Sequence, residues 1–246
     1  MLDRMLTVYK FIVKKIIIVT LLSMSLSSCS FRNKKDPFEG VNRGIFVINR
    51  TLDRAFLKPA ACFYQRCFPQ FVQRRINNFF LNIAEIPTSI NDLLQCDCPN
   101  FAKDASRFLL NTTWGIGGLF DVAAMANRCR HFNDFGITLG KWGYKDSIYI
   151  VLPFFGPSTV RDTIGRALNY GVSPWPYIRP QSICSGFYVA FAVDARAYYL
   201  KMEPAIDEAA VDEYVFFREA YLQRRAVEIR GVCATAEPVL LEEPPE

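Results

Sequence analysis

The sequence of 246 residues contains one histidine, His131, and no recognisable nucleophile motif. A Ser–His or Cys–His mechanism would depend on that single side chain. The segment Gly156-Pro157-Ser158-Thr159-Val160 lacks the final glycine of the hydrolase elbow G-x-S-x-G. Asp212 and Glu213 fall in a predicted first helical turn, where acidic side chains oppose the helix dipole. We therefore predict that the protein is not an enzyme and that His131 has a structural or surface role.

Nucleotide-binding motifs are also missing. Gly115-Ile116-Gly117-Gly118 begins like the dinucleotide fingerprint G-x-G-x-x-G, but Phe120 occupies the position of its third glycine. Residues 136–141 read Gly-Ile-Thr-Leu-Gly-Lys, which is one spacer residue short of a phosphate loop. Trp142 then follows where that loop needs serine or threonine. These departures exclude both motifs, and we expect no cofactor.

Beyond its N-terminus the chain has neither a long hydrophobic run nor a strong basic surplus. The longest later apolar run, 183–193, is too short for a conventional membrane-spanning helix. The formal net charge is +5, and +3 of it lies within residues 1–28, which contain Arg4, Lys10, Lys14 and Lys15 against Asp3. Because a nucleic-acid-binding protein carries its positive charge in the folded part, we expect no nucleic-acid partner.

The eight cysteines do not have the spacing of a metal site. Cys96-Asp97-Cys98 is C-x-C rather than C-x-x-C, and only one histidine is present as a further ligand. Apart from Cys29, an odd number of cysteines remains, so at least one has no partner within the chain. We predict no metal site and expect most of these cysteines to be buried as small apolar residues. Their disulfide pairing is left open.

Residues 1–28 predict a lipoprotein signal peptide. Lys14-Lys15 precedes the apolar run 16–26, whose length suits a signal-peptide core. Leu26-Ser27-Ser28-Cys29 resembles the bacterial lipobox, in which the cysteine is acylated and becomes the first residue after cleavage. We predict lipidation of Cys29 and a lipidated tether over 29–35, with an ordinary signal peptide and an incidental cysteine as the alternative. Met5 is an alternative start.

Helical spacing begins just after this tether. Apolar residues recur every three or four positions and predict a helix with one apolar face, formed by Phe38, Val41, Ile45, Ile48, Leu52 and Ala55. Asn42, Asn49 and Asp53 lie on the border between that apolar face and a charged face. Pro59 is expected to end or kink the helix.

The remaining chain predicts a mainly α fold in one compact domain over 36–231. Further helices are expected at 69–82, 86–94, 102–111, 158–169, 182–201 and 211–230, with Thr159 and Asp162 as a capping box. Within 134–155, the β-branched and aromatic stretch 148–152 indicates a short β-hairpin or an extended loop. Residues 232–246 form a Pro/Glu tail with little reason to order.

Several short motifs follow one another in a fixed order along the chain. They are 36–43 (DPFEGVNR), Asn49 with Leu52-Asp53 and Pro59, Asn78-Phe79-Phe80 with Asn82, 91–95 (NDLLQ), 107–113 (RFLLNTT), Gly115 with Gly117-Gly118, 121–123 (DVA), 134–140 (DFGITLG) with Trp142-Gly143, 151–153 (VLP), 156–158 (GPS) with Arg161-Asp162, 212–214 (DEY) and 218–224 (REAYLQR). In this order and behind a lipobox, they resemble the VacJ/MlaA family of outer-membrane lipoproteins.

That resemblance implies a helical, ring-shaped protein seated in the inner leaflet of the outer membrane, on the periplasmic face, with a central amphipathic channel. It implies removal of mislocalised glycerophospholipids, their transfer to a soluble periplasmic lipid carrier (MlaC-like), maintenance of lipid asymmetry, and association with a trimeric porin. Two departures are Cys96, where the family has glycine, and Tyr144–Ile148, which replaces a glycine/proline-rich turn. An envelope scaffold that tethers porins without moving lipid is the alternative function.

The border residues Asn42, Asn49 and Asp53 are the candidate channel lining. A crossing phospholipid needs a polar path for its head group, since an unpaired charge in hydrocarbon costs several kcal/mol. The same three side chains could instead form hydrogen bonds to neighbouring helices. The two interpretations stand as equals.

Gly115, Gly117 and Gly118 are the candidate hinge. Each glycine costs about 1 kcal/mol relative to alanine inside a helix, so this segment is not expected to be a stable helix. Positive φ angles or a close backbone approach would account for them. A moving hinge beside the channel and tight packing against a neighbouring helix are the two alternatives.

Overall fold

The computed structural model describes residues 35–231. The predicted signal peptide, Cys29, the tether up to residue 34 and the tail 232–246 lie outside the described residues. Within them the chain is mainly helical with one two-stranded antiparallel sheet, as predicted. The helices are α1 Glu39–Leu52, α2 Lys58–Cys67, α3 Gln70–Leu94, α4 Cys98–Thr113, α5 Val122–Met125, α6 Phe135–Lys141, α7 Val160–Val172, α8 Gln181–Leu200, α9 Glu203–Ala209 and α10 Glu213–Arg230, and the strands are β1 Tyr149–Leu152 and β2 Gly156–Thr159.

Pro59 does not end the first predicted helix. The five residues Asp53–Leu57 form a π-helical turn, and α2 follows it without a break. Pro59 lies in the first turn of α2, directly after the π-helical turn. At the place where the sequence predicts an end or a kink, the structure therefore has an irregularity inside a longer helical run.

Helix α3 corrects a second boundary. Helices were expected at 69–82 and 86–94, but α3 is continuous and contains Pro87 in its interior. A proline removes one hydrogen bond of a helix, and tertiary packing can offset that loss. Here α3 packs against α4 along its length, and Asn91 Nδ2 donates to the Pro87 carbonyl at 2.7 Å.

The segment before α7 forms the β-hairpin rather than an extended loop. In its register Tyr149 lies opposite Thr159 and Leu152 opposite Gly156. Thr159 is also the N-cap of α7, where its Oγ1 accepts a hydrogen bond from Asp162 N at 3.1 Å. The Thr159 half of the predicted capping box is confirmed, whereas the Asp162 carboxylate accepts from arginine and tyrosine side chains instead. Helix α7 begins two residues later than expected.

The hydrophobic core is small and divided. Ala61, Tyr64 and Ala197 join α2 to α8, while Tyr149, Val151 and Tyr214 join the hairpin to α10. The expectation that most cysteines are buried is wrong for residues 35–231, where only Cys184 of the six cysteines is buried. Most of the other five lie at helix ends or in loops. None of the six forms a disulfide. No helix within 35–231 has the length and apolar content needed to cross a membrane.

Candidate functional site

The described chain buries polar side chains and exposes apolar ones. Within 35–231, twenty-one polar or charged residues are buried, against ten hydrophobic residues. Large apolar side chains lie on the surface, among them Trp114 (73% exposed), Met125 (85%) and Phe154 (82%). Charged residues are almost never fully buried unless they are paired, and large exposed apolar surfaces mark interaction sites. This distribution suits a protein whose exterior meets hydrocarbon.

One group of charges, the central charge cluster, consists of the buried Glu85 and Arg107 and of Asp121 and Arg130, whose side chains are each 22% exposed. Glu85 Oε1 accepts hydrogen bonds from Arg107 Nε at 3.0 Å and Arg130 Nε at 2.9 Å. Asp121 Oδ2 accepts from Arg107 Nη2 at 2.9 Å and Arg130 Nη2 at 3.3 Å. Burial raises the pKa of Glu85. Burial would also raise the pKa of Asp121, but Arg107 and the other donors around it lower that pKa. Two cations and two carboxylates therefore balance inside the α3–α4 layer.

A second group of charges surrounds Asp162 at the start of α7. Arg225 donates to Asp162 Oδ1 at 2.8 Å and to Asp134 Oδ1 at 2.9 Å, and Arg161 Nε donates to Asp162 Oδ1 at 2.9 Å. Tyr221 donates its hydroxyl to Asp162 Oδ2 at 2.7 Å. Burial alone would raise the pKa of Asp162, but the bonds from Arg225 and Arg161 outweigh it and lower the pKa to about 2.

An amphipathic cleft of about 320 Å³ opens beside this group. Arg166 on its wall is exposed and lies 5.3 Å from the ring centroid of Phe155 at the tip of the hairpin. The cleft combines cationic, acidic and aromatic side chains, so it can receive a polar group next to an apolar one. Its lining residues are Phe132, Asp134, Asp162, Arg166, Asn169, Tyr221, Arg224 and Arg225.

The border residues of α1 bind the hairpin. Asn42 Nδ2 donates to the Tyr149 carbonyl at 3.2 Å, and its Oδ1 accepts from Val151 N at 2.9 Å. Asn49 Nδ2 donates to the Leu152 carbonyl at 2.9 Å, and its Oδ1 accepts from Phe154 N at 2.9 Å. Both amides are thus bonded to backbone of the hairpin, in β1 and in its turn, which favours the packing interpretation over a channel lining.

The third border residue pairs with α8. Asp53 accepts two hydrogen bonds from Arg196, at 2.7 Å from Nε and 3.0 Å from Nη2. A two-fold arginine–carboxylate pair is a strong and directional contact. All three border residues therefore make tertiary contacts, Asn42 and Asn49 with the hairpin and Asp53 with α8. Asp53 is the first residue of the π-helical turn.

The glycine segment after α4 shows both features that its composition predicts. Gly117 and Gly118 have φ angles of +68° and +92°. A Cβ at Gly118 would lie 2.6 Å from the Cβ of Asn82, and a Cβ at Gly115 would meet the carbonyl oxygens of Asn111 and Phe120. Gly118 is therefore packed against α3 and Gly115 against neighbouring backbone, which supports the packing alternative, whereas a Cβ at Gly117 would meet nothing within 4 Å. Its motion as a hinge stays a prediction.

His131 lies between two buried carboxylates. Its Nε2 is 3.2 Å from Asp92 Oδ1, and its Nδ1 is 2.5 Å from Asp104 Oδ2. Burial alone would lower the pKa of His131, but its contacts with Asp104 and Asp92 raise it to about 10. Burial raises the pKa of Asp104. The predicted structural role of His131 is consistent with this position.

The buried charges are the functional-site feature that the sequence-based prediction missed. Asp92, Asp104 and His131 come from α3, α4 and the loop before α6, so no local spacing connects them. Glu85 and Arg107 are likewise twenty-two residues apart. The only local signal was charged residues within apolar helical stretches, and that signal did not identify partners.

Comparison with known proteins places these features in context. A family model described as MlaA lipoprotein matches residues 34–228. The intermembrane phospholipid transport system lipoprotein MlaA of Escherichia coli K12 is 33% identical over 210 residues, covering 83% of this chain and 82% of that protein. An uncharacterised protein of Rickettsia conorii is 33% identical over 196 residues, covering 79% and 78%. A chain solved in work on the structural basis for maintenance of bacterial outer membrane lipid asymmetry has a TM-score of 0.71 at 32% identity, covering 80% of this chain and all of that one.

Proposed function

Because the chain belongs to the MlaA lipoprotein family, we propose that it serves intermembrane phospholipid transport at the outer membrane. In this proposal it removes mislocalised glycerophospholipids from the outer membrane, passes them to a soluble periplasmic carrier and so maintains lipid asymmetry. Lipidation at Cys29 would hold it on the periplasmic face. A trimeric porin is the proposed membrane partner, and we expect no catalytic activity.

The observation that carries this proposal is the buried polar interior beneath exposed apolar side chains. A phospholipid leaving a bilayer needs apolar cover for its acyl chains and polar surroundings for its head group. Moving a charged group through hydrocarbon without partners costs several kcal/mol. The exposed side chains of Trp114, Met125 and Phe154 offer apolar contact for acyl chains. The amphipathic cleft offers polar surroundings for a head group.

We further propose that Arg166 meets the lipid phosphate in the cleft. Arginine is well matched to phosphate because its planar guanidinium donates two parallel hydrogen bonds. Arg225 is already paired with Asp134 and Asp162, whereas Arg166 is exposed at the cleft wall. The adjacent Phe155 ring, 67% exposed, offers apolar contact next to that charge.

The decisive experiment measures phospholipid in the outer leaflet of cells with and without the protein. The proposal predicts that deletion raises outer-leaflet phospholipid and that restoring the chain reverses the change. Normal asymmetry in the deletion strain, together with altered porin assembly, would favour the scaffold alternative.

A matched pair of variants tests the cleft. Arg166→Gln should raise outer-leaflet phospholipid while the protein remains folded and membrane-bound, because an exposed arginine contributes little to stability. Arg66→Gln, which changes an exposed arginine in the last turn of α2, is the control and should behave as wild type. Equal transport by both variants would remove Arg166 from the proposal.

A further inference from the structure

Asp92, Asp104 and His131 form a compact cluster between α3, α4 and the loop before α6, which we call the DDH cluster. The side chains of Asp92 and Asp104 are fully buried, and that of His131 is 20% exposed. One nitrogen and two carboxylate oxygens, one donor atom from each residue, lie within 4.8 Å of one another. The three donors therefore converge on one small volume inside the protein.

Four buried atoms of this cluster have no hydrogen-bond partner. They are Asp92 Oδ2, both carboxylate oxygens of Asp104, and His131 Nδ1, whose short contact with Asp104 lacks hydrogen-bond alignment. By contrast, Asp92 Oδ1 accepts from Asn133 Nδ2 at 2.7 Å and contacts His131 Nε2. An unpaired buried polar atom is costly, and adjacent buried carboxylates need a positive charge between them.

Against the expectation of no metal site from the cysteine and histidine spacing, we propose that the DDH cluster is a binding site for one divalent transition-metal ion, with Zn²⁺ as the best match. Imidazole nitrogen and carboxylate oxygen together suit Zn²⁺, whereas Ca²⁺ takes six to eight oxygen ligands. Zinc lies about 2.0–2.2 Å from such ligands, so the donor atoms, which lie within 4.8 Å of one another, would rearrange to about 3.5 Å apart to share it.

The contacts also indicate which ring nitrogen would bind the ion. His131 Nδ1 lies beside the unpartnered oxygens of Asp104 and would ligate the ion. Asp104 and Asp92 Oδ2 would supply the oxygen ligands, and water would complete the coordination.

The bound ion would be structural. Through His131 it would hold the loop 126–134 against α3 and α4. In the same loop, Arg130 bonds to Glu85 of the central charge cluster. This role does not depend on the proposed lipid transport. The competing explanation is that protonated His131 is itself the counter-charge of the two carboxylates and that no ion binds.

The test uses the full chain purified in detergent, stripped with EDTA and then loaded with Zn²⁺. We expect about one tightly bound zinc per chain by mass spectrometry of metals, and a rise of several degrees in the unfolding midpoint. Asp104→Asn and His131→Gln should each lose the bound zinc and the rise. Asp207→Asn, at a carboxylate 53% exposed on α9, is the control and should keep both.

The exposed cysteines are the main competing zinc ligands, so Co²⁺ loading is the second measurement. Nitrogen and oxygen ligands give cobalt a spectrum without the strong thiolate charge-transfer band. A thiolate band, substoichiometric zinc in the wild type, or unchanged zinc in both cluster variants would overturn the proposal. If Asp104→Asn does not fold, His131→Gln decides by itself.

Discussion

Replacing Arg107 by methionine tests whether the central charge cluster holds the α3–α4 layer together. The Arg107 side chain is 1% exposed and donates to Glu85, Asp121 and the Arg128 carbonyl. Methionine keeps much of its length but removes every donor. Glu85 and Asp121 would then share only Arg130, so one buried negative charge would lack compensation. Breaking a buried ion pair from one side costs about 3–5 kcal/mol.

The matched control is Arg43→Met. Arg43 also contacts two carboxylates, Glu39 and Asp212, but all three side chains are about 40% exposed. Solvent screening limits such pairs to about 0–1 kcal/mol. For a chain of this size 1 kcal/mol shifts the unfolding midpoint by about 2–4 °C, so Arg107→Met should lower it by about 6–20 °C and Arg43→Met by at most about 4 °C.

Thermal and denaturant unfolding of the detergent-solubilised protein measure these differences. Glu85→Gln combined with Arg107→Met restores charge balance and should recover part of the lost stability. Equal midpoints for Arg107→Met and Arg43→Met would refute the reasoning, because the buried cluster would then contribute no more than a solvated pair.

Four further outcomes are expected. Gly118→Ala should destabilise the protein by about 1–3 kcal/mol, since its φ is +92° and the new methyl group would meet Asn82. Asp162 has a pKa of about 2, below its ordinary value near 3.8, so its contribution to stability is present above about pH 4 and is lost as the pH falls through about 2. Asp162→Asn should therefore flatten acid unfolding in that range. Asp53→Leu should lower the unfolding midpoint, because it leaves a half-buried arginine of α8 without its bidentate partner. Cys29→Ala should abolish incorporation of a clickable fatty acid, because no other residue of the predicted lipobox can form the thioether.

Each outcome has a contrary result. A Gly118→Ala protein of wild-type stability would show that the turn repacks freely. An unchanged acid profile for Asp162→Asn would assign acid unfolding to other carboxylates. A stable Asp53→Leu protein with impaired lipid removal would return Asp53 to a channel-lining role. Persistent label on Cys29→Ala would contradict the lipobox interpretation.

Periodicity and caps predicted the class and much of the helical layout. The apolar stripe from Phe38 identified α1, and the Thr159 cap placed the start of α7 within two residues. Proline was weighted too heavily at Pro59, which lies within a helical run, and α3 continues through the break expected at 83–85 with Pro87 in its interior. Local rules assign a proline its backbone cost, whereas packing of α3 on α4 decides whether the helix continues.

The polar residues were less predictable than the helices. A stripe containing Asn42 and Asn49 has the same spacing whether it faces a channel or a neighbouring strand. The pairing of Asp104 with His131 depends on how α4 and a later loop meet, which no local pattern encodes. Buried charges of this kind are determined by tertiary structure, so the sequence identified the residue types but not their partners.

The two asparagines of α1 have a consequence for the free edge of β1. Asn42 bonds to Tyr149 and Val151 on the outer edge of β1, and Asn49, about 10.5 Å further along the helix, bonds to Leu152 and Phe154 where the hairpin turns. Each amide supplies one donor and one acceptor, as a neighbouring strand would. Together with the Lys35 carbonyl, which accepts from Tyr149 N at 2.9 Å, the helix covers an edge of β1 that would otherwise be open to other chains. Because aspartate lacks the donor and leucine lacks both groups, either substitution at Asn42 would leave backbone groups of this edge unpaired and open to intermolecular β-pairing.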